Sequence, residues 1–111
     1  MAVADFLFAR GFQIFARNLR LGALELDVVA RRGKLVVIVE VRTRGERSLE
    51  RAFESVGRVK RQRLVRAAGR LWRSRLAWNS EIDRVRIDVA AVSFSRGQTK
   101  VEYAEGVIAG S

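Results

Sequence analysis

The chain has 111 residues, 22 basic side chains against 12 acidic ones, a formal net charge of +10 and 49% hydrophobic residues. The hydrophobic content rules against wholesale disorder, and a chain of this length buries roughly two thirds of its unfolded surface in one core, which makes residues 1–111 a single expected domain. Its apolar runs are too short and too charged to cross a bilayer, and the absence of cysteine and histidine excludes thiolate nucleophiles, Ser-His-Asp triads and the usual zinc sites.

The opening segment, with Phe6, Leu7 and Phe8, reads as the last turns of a helix that Gly11 ends. It lacks the basic start, long apolar stretch and cleavage site of a signal peptide, so a cytoplasmic location is expected. Phe12 to Arg17 is a first short strand, and the apolar runs Ala23 to Ala30 and Leu35 to Thr43 read as a hairpin around Arg31-Arg32-Gly33-Lys34. A polar loop, Arg44 to Arg47, follows. From about Leu49 to Leu76 the spacing turns helical, with Val56, Val59, Leu64, Ala67, Ala68, Leu71 and Trp72 near one stripe and Gly57 marking a start or kink. Trp78-Asn79-Ser80 is a loop, Arg84 to Phe94 a fourth strand, and Arg96-Gly97 turns into a fifth, Thr99 to Tyr103. This order predicts an α/β sandwich: three antiparallel strands, a crossover helix, and a strand returning parallel to the third in a mixed central sheet.

Strand alternation gathers the hairpin's acids. With the turn centred on Arg32-Gly33, Leu24, Leu26, Val28 and Ala30 share a face with Leu35, Val37, Val39 and Val41, while Glu25, Asp27, Glu40 and Arg42 share the other. Glu25 then lies directly across from Glu40, a like-charge pair that calls for a cation between them. Oxygen-only donors suit hard ions, so the expected ion is Mg²⁺ or Mn²⁺ held by Asp27, Glu40 and Glu25. The competing reading is a solvated strand face without chemistry.

Arginine supplies 19 of the 22 basic residues, and its planar fork binds phosphate bidentately, so a polyanion is the expected partner unless arginine-rich codon usage explains the bias. The long helix sharpens this. Between Ser55 and Ser80 there is no acidic residue, while Arg58, Lys60, Arg61, Arg63, Arg66, Arg70, Arg73 and Arg75 are all cationic. Trp72 is expected in the core and Trp78 as a loop anchor, with base stacking as the alternative for both. Asp88 shares one side of the fourth strand with Arg84 and Arg86, and an Asp–Arg pair fixing that strand is its expected use.

Several ordered runs together resemble the YraN family of bacterial proteins over nearly the whole chain: Asn18-Leu19-Arg20, Glu25 to Ala30, Val37 to Arg44, Glu54-Ser55-Val56, Lys60, Ala67-Ala68 to Leu71, and Arg86-Ile87-Asp88-Val89. The resemblance implies the restriction-endonuclease-like fold of the PD-(D/E)XK superfamily, in which an Asp on the second strand and a Glu-x-Lys on the third bind metal and organise a water. Carried over by position, these are Asp27, Glu40 and, where the lysine belongs, Arg42. Arginine keeps the charge but stays protonated and presents a wider head. Leu24 stands where the family usually has glycine, and a glutamate of the family's first helix would fall before Met1. The implied function is that of a nucleic-acid-binding protein, a Mg²⁺-dependent DNA endonuclease weakened or silenced by Arg42, with Arg20, Arg44, Lys60 and Arg61 as nucleic-acid contacts. The alternatives are a non-catalytic DNA- or RNA-binding module and a small subunit docked on an acidic protein. A symmetric dimer would suit a branched substrate, although nothing in the chain demands one.

Overall fold

A computed structural model describes residues 1–44, 56–76 and 78–106. Helix α1 (Ala2–Ala9) leads into strands β1 (Gln13–Leu21), β2 (Leu24–Arg32) and β3 (Leu35–Arg44), then helix α2 (Arg58–Leu71), a wider π-helical turn (Trp72–Leu76), and strands β4 (Arg84–Ser95) and β5 (Gln98–Ala104). The strands form one five-stranded sheet in the order β1-β2-β3-β4-β5. Every pairing is antiparallel except β3 with β4, which run parallel because α2 carries the chain back across the sheet. The expected architecture is therefore present, with all five strands longer than expected; Arg44, expected to open a loop, ends β3, and Gly57 is the N-cap of the helix, while the rest of that loop and the expected helical segment before Val56 lie outside the described residues.

Each face of the sheet carries one helix and one apolar layer. Leu64, Ala67, Ala68 and Leu71 of α2 pack on Leu26, Val29, Val36, Ile38, Ile87 and Val89. Val3 and Leu7 of α1 pack on Val28, Ala30, Val37, Val39, Ala90 and Val92. The four buried positions of α2 follow the helical period, which is why a helix so basic still docks. Val59, expected on that stripe, is 61% exposed; Trp78, expected as an anchor, is 88% exposed.

The hairpin register differs from expectation. Arg32 pairs with Leu35 and Val28 with Val39, so the loop is Gly33-Lys34 rather than Arg32-Gly33. Gly33 has φ +60°, the value that a tight hairpin turn reserves for glycine at its first loop position. The two-residue slip preserves side-chain parity along β3 but moves Glu25 away from Glu40. A second difference is sharper: Leu24 and Leu26 join the α2 layer, whereas Val28 and Ala30 face α1. The strand thus changes face at Asp27, where the β2–β3 ladder stops. Across from Asp27 in β1, between the pairs Arg17–Val28 and Leu19–Leu26, Asn18 has φ +50°. Asparagine is among the few residues that tolerate this conformation, and such irregularities re-aim side chains.

Gly22 in the β1–β2 turn has φ +67°, and a Cβ there would lie 2.6 Å from Arg70 Nη1. That guanidinium donates to the Leu21 carbonyl at 3.2 Å, tying α2 to the turn. Gly22→Ala combines backbone strain with loss of this tie, and should cost about 2 kcal/mol in thermal or urea unfolding; an unchanged midpoint would show that the turn relaxes freely.

Candidate metal centre and nucleic-acid interface

Glu40 lies near the C-terminal end of β3 on the α2 side and is only 3% exposed. Lys60, in the first turn of α2, places Nζ 3.5 Å from Glu40 Oε1, and Arg42 places Nη2 3.7 Å from the same oxygen. Both ion pairs are loose by hydrogen-bond standards. The other oxygen, Oε2, is buried and has no hydrogen-bond donor among the described residues. Burial, and then the neighbouring Asp27 carboxylate, push the Glu40 pKa above its ordinary 4.5, against the pull of Lys60 and Arg42.

Asp27 occupies the gap where β2 leaves β3. Its Oδ2 accepts a hydrogen bond from the Val41 backbone N–H at 2.9 Å, doing for β3 what a strand carbonyl would have done. The carboxylate also lines a pocket of about 360 Å³ with Arg17, Asn18 and Val41. The change of face at Asp27 therefore brings it beside Glu40, although regular alternation is broken there.

The expected trio of acids does not assemble. Glu25 lies opposite Arg20 on β1 and pairs with it at 3.7 Å on the exposed surface. Among the described residues no three acidic side chains come together in a form that could hold an ion. The physical reason is the register: the β2–β3 ladder ends at Val28–Val39, so the next residue of β2 toward Glu40 is Asp27, two positions before Glu25 is reached. An ion there would have Glu40 Oε2 and the Asp27 carboxylate as protein donors. Two carboxylates, one with a buried oxygen lacking a donor, fit a hard divalent ion that keeps several waters.

The expected nucleic-acid contacts divide. Arg20 is exposed beside Glu25, and Lys60 turns toward Glu40. Arg61 is exposed yet donates from Nε to the Val56 carbonyl at 2.9 Å, helping to fix the start of α2. The Arg44 side chain lies outside the described residues. Arg58, Arg63, Arg66, Arg70, Arg73 and Arg75 are all exposed along α2 and its π-turn, with no acidic residue between them.

On the opposite face, Asp88 is fully buried and receives four donors: Arg86 Nε at 2.9 Å and Gly106 N–H at 2.8 Å on Oδ1, Arg86 Nη2 at 3.0 Å and the Tyr103 hydroxyl on Oδ2. Burial, and then this bond to Asp88, hold the Tyr103 hydroxyl well above its ordinary pKa. Phe6 of α1 stacks on the Tyr103 ring at 5.1 Å. The expected Asp–Arg pair is thus present through Arg86, while Arg84 faces elsewhere. Tyr103 and Gly106 were not foreseen because their convergence depends on the β4–β5 register.

The sequence profile of "Uncharacterised protein family UPF0102" matches residues 1–92. A UPF0102 protein of Sorangium cellulosum is 47% identical over 91% of this chain and 71% of its own length, and one from Beutenbergia cavernae is 42% identical over 91% and 84%. A longer UPF0102 protein of Oleidesulfovibrio alaskensis is 45% identical over 83% of this chain and 44% of its own length. Among solved structures, Pyrococcus furiosus SfsA in complex with Ca²⁺ is similar at a TM-score of 0.42 and 16% identity, over 93% of this chain and 58% of that one. No helix among the described residues is long and apolar enough to cross a membrane. The extent of the profile match and the identity to these relatives place the chain in the UPF0102 family, the YraN family.

Proposed function

We propose that this protein is a restriction-endonuclease-like nucleic-acid-binding domain that hydrolyses phosphodiesters with a divalent ion, Mg²⁺ or Mn²⁺, at Asp27 and Glu40. The observation that carries this reading is the buried Glu40 oxygen that has no donor among the described residues, beside Asp27 and at the start of a helix whose charges are all basic. When bound, the ion would sharpen a water nucleophile and offset charge growing on the phosphate. Asp27 and Glu40 would hold it; Arg42 would take a phosphate oxygen through its fork.

Lys60 has a role that Arg42 cannot fill. Both cations address Glu40 Oε1, but an ammonium is a compact point charge with three rotatable donors, whereas a guanidinium presents a wide planar fork. Lys60, arriving from α2, therefore stands in for the lysine that the third-strand motif lacks. The exposed arginines of α2 would track the backbone of a DNA strand and make binding steeply salt dependent.

The test is cleavage of nicked, branched and single-stranded DNA with Mg²⁺ or Mn²⁺. Cleavage should fall about 100-fold or more in Lys60→Met, while Arg42→Lys should change it by less than about tenfold. A product that persists in Asp27→Ala would sink the reading. DNA binding without cleavage by the wild type would favour the non-catalytic binding module, which the loose ion pairs already closing on Glu40 also suit.

A further inference from the structure

A second cleft, of about 360 Å³, opens at the far end of α2, with Gly69, Trp72, Arg73, Asp83 and Arg84 among its walls. Its volume lies within the range of about 300–1,000 Å³ typical of small-ligand sites. The sequence builds it deliberately. The π-turn begins on Trp72, whose ring is half-buried between the α2 core layer and the cleft. Gly69, one turn earlier, makes room for the Arg73 guanidinium; a Cβ there would come within 3.2 Å of its Nη1. On the opposite wall, the backbone N–H groups of Asp83 and Arg84 donate to the Lys34 carbonyl at 3.0 and 3.4 Å, which pins the entry to β4. π-turns of this kind often mark functional sites.

The lining combines an aromatic ring, two guanidinium groups and one carboxylate. An acidic peptide would meet Asp83 with repulsion and make no use of the ring. A nucleobase uses every part: its face stacks on indole, its phosphate is bound by arginine, and its amino group donates to a carboxylate. The cleft also lies in line with the Glu40 site. Arg63, Arg66, Arg70 and Arg73 recur every three or four residues and form an exposed row between them. From Lys60 to Trp72 the helix advances about 18 Å at ~1.5 Å per residue. A duplex strand covers that distance in about five nucleotides at ~3.4 Å each.

We propose that this cleft receives an unpaired nucleobase and its phosphate, with the base stacked on Trp72, its amino group on Asp83 and the phosphate between Arg73 and Arg84. The protein would thereby select strands with an unpaired element about five nucleotides from the phosphate at Asp27 and Glu40. The position of that phosphate rests on the function proposed above; occupancy of the cleft does not.

The experiment uses 2-aminopurine, a fluorescent base with an exocyclic amino group, placed in a DNA single strand, in a gap flanked by duplex, and within full duplex, all without divalent cation. Wild-type protein should quench the probe in the strand and the gap but not in the duplex. Trp72→Leu should abolish the quench and weaken binding about tenfold. Because Trp72 also packs against the core, Arg84→Gln, on an exposed side chain, provides the second variant and should weaken binding severalfold with an unchanged thermal midpoint. A ribo-oligonucleotide carrying the same probe tests whether the cleft reads the base alone; equal quenching is expected. No quenching by the wild type, or quenching and affinity unaltered in both variants, would overturn the proposal. Quenching retained in Asp27→Asn, with no cleavage by the wild type under any metal, would sink the nuclease reading and leave the base site standing.

Discussion

Asp88→Ala should destabilise the protein by about 3–5 kcal/mol, the largest effect expected of any single substitution considered. Asp88 is fully buried with four donors on its two oxygens. Removing the carboxylate strands the Arg86 guanidinium, whose side chain is 16% exposed and whose remaining acidic contact among the described residues is Glu105 at 3.5 Å. It also leaves the Tyr103 hydroxyl and the Gly106 N–H without their acceptor, and loosens the Phe6 stack that fastens α1 to β5. Asp88→Asn keeps one acceptor oxygen and should cost less, about 1–3 kcal/mol. Urea unfolding of both variants checks this. Equal, small losses would mean that the network is decorative. The cluster lies on the face opposite Lys60, so metal binding should survive in whichever variant remains folded.

The second large effect is a pH dependence that Glu40→Gln removes. Burial and Asp27 raise the Glu40 pKa above 4.5, so over the interval between 4.5 and the raised value the folded state binds more protons than the unfolded state. Stability must then fall as pH rises through that interval. The metal-free protein should lose stability on going from pH 4.5 toward neutrality, beyond what its other groups explain. Glu40→Gln should flatten this slope and be at least as stable at pH 7, because a buried charge beside Asp27 is gone. Mg²⁺ or Mn²⁺ should restore stability more strongly at pH 7 than at pH 5, since the ion competes with a proton for Glu40. Parallel stability–pH curves for the wild type and Glu40→Gln would contradict the burial argument.

Much of this arrangement is legible in the chain. The apolar run Leu35 to Val41 marks the strand that carries Glu40, and the helical spacing of Leu64, Ala67, Ala68 and Leu71 marks the helix that delivers Lys60. Arg96-Gly97 locates the last turn. The hairpin register is less legible because Gly33 serves equally well in either loop register, and only packing of Val28 against Val39 decides between them. The change of face at Asp27 is hidden for another reason. It depends on Asn18 across the ladder, a pairing distant in sequence, and periodicity within β2 alone carries no trace of it. The Trp72 cleft was likewise unreadable, because the residue's helical spacing assigns it to the core, where half of it lies.

The most direct measurement is a calorimetric titration of Mn²⁺ into the folded protein at neutral pH, for the wild type, Asp27→Asn, Glu40→Gln and Glu25→Gln. One saturable site should be present in the wild type and in Glu25→Gln, and its affinity should fall about tenfold or more in each of the other two. No binding by the wild type, or equal affinity in all four proteins, would contradict a metal centre at Asp27 and Glu40.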